Sequence, residues 1–166
     1  MDESTNEDQV PSADAIAAEE VTQVDNGPNF LDQPEGHDWM LAWFIAQAEA
    51  YGVEIGVTLA VGGSLVSGVI INGRSYIEQL AQGFRNANSA SETLSEALAN
   101  SVSEWAAVYP ATSAETDIFA LKPNYIHLRN ARIYQTNDNP IPNNGMLWRG
   151  KLSSVDGFSA GEMQRS

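Results

Sequence analysis

The residues able to do chemistry are few and scattered. The chain has no cysteine, so it has no thiolate nucleophile, thiolate metal ligand or disulfide. Its serines never fall in a G-x-S-x-G turn, the pattern that exposes a nucleophile above a sheet. Two histidines are present, His37 and His127, and neither has acidic or histidine neighbours at metal-ligand spacing. His127 stands in an alternating strand pattern and is expected at a strand surface or half-buried. Glu54 and Glu78 are single carboxylates without a visible partner. Phosphate-cradling loops of the G-x-G-x-x-G and P-loop kinds are absent. The residues imply no cofactor and no metal, and give no positive sign of an enzyme.

The concentration that stands out is basic. Arg129, Arg132, Arg149 and Lys151 are four of the eight Lys and Arg residues. They fall on two strand-like runs expected to pair, with Arg149 and Lys151 on one face and Arg129 and Arg132 beside them. One reading is solvated charge that keeps sheet edges from sticking. The other is a cationic patch that meets an acidic partner, or the chain's own acidic end. The charge distribution makes the second concrete. Residues 1–38 hold 11 of the 22 acids and no Lys or Arg, leaving net −11 there and −3 in the remainder. Nucleic acid is a poor fit, because phosphate binding requires a strong positive field.

Positioning such a patch needs a sheet, and Val53 to Ile71 is its centre. VEIGVTLAVGGSLVSGVII contains one charge, Glu54, and has nearly the length of a bilayer span. Gly62-Gly63 at its midpoint and the period-2 series Val53, Ile55, Val57, Leu59, Val61 read instead as a two-residue hairpin. Gly68 marks a bulge or a close backbone approach in the return strand. A lone hairpin is marginal in water, so other elements must cover it.

Those elements follow from the pattern. Residues 1–36, acidic and carrying Pro11, Pro28 and Pro34, are expected to form a disordered tail, with 37–166 a single α+β domain. Residues 38–51 read as a helix capped by Asp38 and ended by Gly52. Trp39, Trp43 and Phe44 exceed what one buried stripe needs and are second candidates for a partner face. Asn72-Gly73 reads as a turn. Residues 74–86 form a helix on Tyr76, Ile77, Leu80, Ala81 and Phe84, weakened by Gly83. Residues 91–108 form another, with Leu94, Ala97, Leu98, Val102, Trp105 and Val108 as its apolar face. After a linker over 110–123, residues 124–135 form a strand whose face is kept only if a bulge near Asn130 corrects the phase. A loop over 136–145, a strand over 146–155, an Asp156-Gly157 turn and a short strand at Phe158 complete the chain. The start, MDESTNEDQV, lacks the basic and apolar regions of a signal peptide, so the chain reads as soluble and cytoplasmic.

Two resemblances emerge from these residues. Tyr125-Ile126-His127-Leu128-Arg129-Asn130-Ala131-Arg132-Ile133-Tyr134, Leu147-Trp148-Arg149-Gly150-Lys151-Leu152 and Val155-Asp156-Gly157-Phe158 resemble the gas vesicle accessory protein U family. Ser67-Gly68 and Arg74-Ser75-Tyr76-Ile77 fit its first half. The likeness spans about residues 39–161. It implies a non-enzymatic cytoplasmic protein that helps gas vesicles form, cluster or pack, with the gas vesicle shell or other gas vesicle proteins as partners. A tail of net −10 over residues 1–36 beside a cationic patch adds weak self-association. The helix followed by V-T-L-A-V-G-G-S-L-V-S-G-V-I, with Trp148-Arg149-Gly150 later, also resembles Sm-like barrels in fold. The expected architecture is therefore α+β: a bent antiparallel sheet, or small Sm-like partial barrel, of four or five strands. It carries an N-terminal helix, an inserted helical pair and the acidic tail. An oligomeric RNA-binding protein and a small-ligand-binding domain are the rival classes.

Overall fold

The computed structural model describes residues 36–87, 91–135 and 140–163. The expected tail lies outside the described residues but for Gly36. Helix α1, Trp39–Tyr51, begins where the Asp38 carboxylate accepts the Met40 and Leu41 amides, and ends at a left-handed Gly52. Strands β1, Ile55–Val61, and β2, Ser64–Ile70, join through Gly62-Gly63 with Val61 opposite Ser64. Helix α2 spans Gly73–Arg85. Asn72, expected in a turn, instead caps this helix through Oδ1, 2.7 Å from the Ser75 amide. Helix α3, Glu92–Glu104, runs into a 3-10 turn over Trp105–Val108. Strands β3, Tyr125–Tyr134, β4, Ile141–Lys151, and β5, Gly157–Ala160, complete an open antiparallel sheet of order β4-β3-β2-β1-β5.

Neighbouring residues go to opposite sides of this sheet, as strand geometry requires. Val57, Leu59, Val66, Ile70, Ile126, Leu128 and Ala131 pack under α1 with Leu41, Ile45 and Ala48. Ile71 and Leu147 turn the other way, into a second cluster with Tyr76, Ile77 and Ala81 of α2. Each fully buried Leu or Ile contributes roughly 1.5–3 kcal/mol. Ile126, Leu128, Ala131 and Ile133 share the α1 side despite their odd spacing, because the register shifts between Leu128 and Ala131. Asn130 sits there at φ 52°, facing Gly145 at φ 72°; a Cβ on Gly145 would lie 2.7 Å from the Asn130 Cα. The second irregularity falls at Gly68, where a Cβ would lie 2.9 Å from the Arg129 carbonyl oxygen.

Two further expectations change. The strand placed at 146–155 starts at Ile141, paired with Ile133, and gives way after Lys151 to a 3-10 turn over Leu152–Ser154. The turn-rich residues Asn143, Asn144 and Gly145 are absorbed because β4 is an edge strand, where a proline and a bulge are tolerated. Helix α3 is also rotated from its expected face. Ser95, Ala99, Val102 and Ala106 are buried, whereas Leu94, Leu98, Trp105 and Val108 are exposed. Its main neighbour is α2. Small side chains let two helices approach closely, so the small-residue stripe wins over the large one.

Candidate interaction surfaces

The four cations named from the sequence fall on the sheet side opposite α1. Lys151 lies opposite Tyr125 and Arg149 opposite His127 on β3. Arg129 and Arg132 face that side too, on either flank of the Asn130 bulge that restores the phase. They are not equivalent. Arg129 forms a two-pronged ion pair with Glu54, its Nε donating over 3.2 Å, and this hydrogen bond raises its pKa further above the ordinary arginine value. Glu54, expected to stand alone, is thus paired. Arg132 Nε donates to the Asn143 carbonyl at 3.1 Å. Arg149 lays its guanidinium carbon 3.5 Å from the Tyr125 ring centre, a cation–π contact. Lys151 is exposed and has no partner among the described residues.

Behind Arg149 lies a buried polar cluster that the sequence did not disclose. His127 is 1% exposed, fully buried rather than at a strand surface or half-buried as expected. Its Nε2 is 3.2 Å from Arg149 Nε and 3.1 Å from the Tyr109 hydroxyl. Its Nδ1 lies 3.7 Å from Oε1 of Glu49, which is 7% exposed. That oxygen accepts the Gly73 amide at 2.9 Å. Burial pushes the Tyr76 hydroxyl above the usual tyrosine pKa; nearby Arg149 pulls it down and Tyr109 pushes it up. Glu49 had one signal in the sequence: it falls four residues after Ile45 and eight after Leu41, on the buried side of α1. Tyr109 had none, since it falls between the helix expected over 91–108 and the linker expected over 110–123.

The aromatic residues of α1 divide between core and surface. Phe44 packs against the core and meets Phe158 edge-on, with ring centres 5.8 Å apart. Trp43 is 41% exposed and Met40 42%. With Trp39, Phe44, Ile118 and the 67% exposed Phe119, they line a groove of about 690 Å³. Among the described residues no group of three His, Cys, Asp or Glu side chains is placed to hold a metal. Nor is any helix long and apolar enough to cross a membrane.

The described residues thus form an open sheet with cations on one side and an aromatic groove beside its first helix. Residues 38–163 match the family model described as gas vesicle protein GvpU-like, and the chain belongs to that family of gas vesicle accessory proteins. No curated protein and no solved structure matches it.

Proposed function

We propose that the protein promotes the assembly, clustering or packing of gas vesicles in the cytoplasm through surface contacts and self-association, without catalysis. The observation that carries this reading is the α1 groove, where Trp43, Met40 and Phe119 leave large apolar area in water. Contiguous exposed aromatics of this kind mark interaction sites. Trp39 and Trp43 form the apolar part of the contact with Met40 and Phe119, and Phe44 backs them from the core side. Arg132, Arg149 and Lys151 form the charged part, toward an acidic surface; Arg129 joins them when it trades Glu54 for the partner. The acidic residues 1–36, read as a segment separate from the domain over 37–166, supply in a second copy a complementary charge for weak self-association.

Flotation tests this. Purified protein is mixed with intact gas vesicles and spun gently, and the buoyant layer is assayed for protein and clumping. Co-flotation is expected, weakened between 0.05 and about 0.5 M salt as exposed charge pairs are screened. The double change Arg149→Glu/Lys151→Glu should remove the salt-dependent part and Trp43→Ser the remainder. Protein that stays in solution at every salt and pH refutes the reading and turns attention to copurifying RNA.

A further inference from the structure

The hydrogen-bonding chemistry of His127 fixes which of its nitrogens carries the proton. A guanidinium has five donors and no acceptor. Arg149 Nε points at His127 Nε2 over 3.2 Å, so Nε2 must offer its lone pair. The ring proton is then on Nδ1, on the side of Glu49 Oε1 at 3.7 Å. The Tyr109 hydroxyl shares Nε2, and the Tyr109 ring meets the imidazole edge-on. A neutral imidazole is therefore part of what holds Arg149 flat on Tyr125. A second proton would place N–H against N–H and positive charge against positive charge at that contact.

We propose that His127 is a proton-operated catch for Arg149: neutral, it pins the guanidinium against Tyr125; protonated, it releases Arg149 toward the outer edge of the sheet. This rests on the reading that Arg149 contacts an acidic partner, and it makes that contact stronger in acid. The groups around the imidazole balance the two states. Glu49 on α1 favours the protonated ring. Its Oε2 and His127 Nδ1 are both buried and without a hydrogen-bond partner among the described residues. A full ion pair there would satisfy both sides. Arg149 on β4 opposes protonation. So does Arg74 on α2, whose Nη2 donates to the Tyr109 carbonyl at 3.2 Å. Lys122 opposes it from the same wall. Tyr76, with its ring centre 4.9 Å away, and Tyr109, at 5.3 Å, close the remaining sides with their phenol rings. A cavity of about 350 Å³, lined by Glu49, Tyr109, Tyr125, His127 and Arg149, gives the guanidinium room to leave. Among side chains, histidine is the one whose ordinary charge change falls between pH 5 and 8, the range the test therefore covers.

The test uses the full chain without any partner, so its outcome is separate from that of flotation. The Arg149 Nε–H and the His127 ring are followed by NMR from pH 8 to pH 5. The expected result is a slowly exchanging Arg149 Nε–H at pH 8 that loses at least tenfold protection along the same curve as His127 protonation. Arg149→Gln, an exposed change that leaves the core untouched, should move His127 protonation to higher pH. His127→Gln retains an acceptor for Arg149 and should hold its Nε–H protected throughout. Loss of Arg149 protection without His127 protonation overturns the proposal. So does unchanged protection after the ring has titrated, a ring that stays neutral to pH 5 in the folded chain, or an Arg149→Gln protein with unmoved titration. If the catch is real but flotation fails, the device stands and the acidic gas vesicle partner does not.

Discussion

Two glycines of α2 should respond to the same substitution with opposite sign. Gly83 is exposed, and a Cβ there meets no atom within 4 Å. Gly83→Ala should therefore stabilise by about 0.5–1 kcal/mol, the usual helix-interior difference. At Gly73 a Cβ would lie 2.0 Å from Tyr109 Cε1 and 2.1 Å from Cδ1. These are ring atoms of a side chain held by the imidazole of His127, so the ring must swing away as a whole. Overpacking of this kind costs about 1–3 kcal/mol, and the lost hydroxyl contact adds about 0.5–1.5 kcal/mol. About 0.5–1 kcal/mol is offset by the helix preference of Ala, leaving a net loss of about 1–3.5 kcal/mol. The Gly73 amide that donates to Glu49 is kept by Ala, so the Cβ is isolated as the cause. Urea unfolding reads the difference directly, and Tm should fall by about 4 °C per kcal/mol. In a Tyr109→Ala background Gly73→Ala should cost close to nothing. A Gly73→Ala protein as stable as the parent, or a cost that survives Tyr109→Ala, would refute the argument.

Leu98→Ser should change stability by no more than about 0.5 kcal/mol, because Leu98 is exposed, while Ala99→Leu on the buried side of α3 should cost about 1–3 kcal/mol. Urea midpoints in the reverse order would show α3 turned the other way. Tyr76 keeps its proton to higher pH in the folded chain than in the unfolded one. Its contribution to stability is therefore present below about pH 10 and is lost as pH rises past that value. Unfolding curves from pH 8 to 11 should flatten in Tyr76→Phe; an unchanged slope would count against the burial.

Much of the fold was legible because its signals are local. Asp38 and Gly52 bracket α1, Gly62-Gly63 turns the hairpin, and the phase error across Asn130 announces a bulge. What escaped depends on contacts made far along the chain. The large residues Leu94, Leu98 and Trp105 looked like the buried face of α3, yet the partner helix selects the small stripe through Ala99. Residues 136–145 looked like a loop, and only an edge position allows β4 to start within them. The cations could be named from sequence but not sorted. Whether Arg129 meets Glu54, or Arg149 meets His127, is decided by a pairing register that spacing does not reveal.

The sheet's strand order has a consequence for how the protein is made. The first two strands to emerge, β1 and β2, pair at once, yet the outer edge of β1 is covered only when β5 arrives from residues 157–160. Asp156 then clasps the hairpin, its amide donating to the Ala60 carbonyl at 2.8 Å and its carboxylate accepting from Gly62. Until residues 157–160 are made the chain thus carries an apolar strand with an open hydrogen-bonding edge, the kind of edge that draws in foreign strands. A chain that stops short of Gly157 keeps that edge of β1 bare, so the four residues of β5 decide whether this side of the sheet is open to foreign strands.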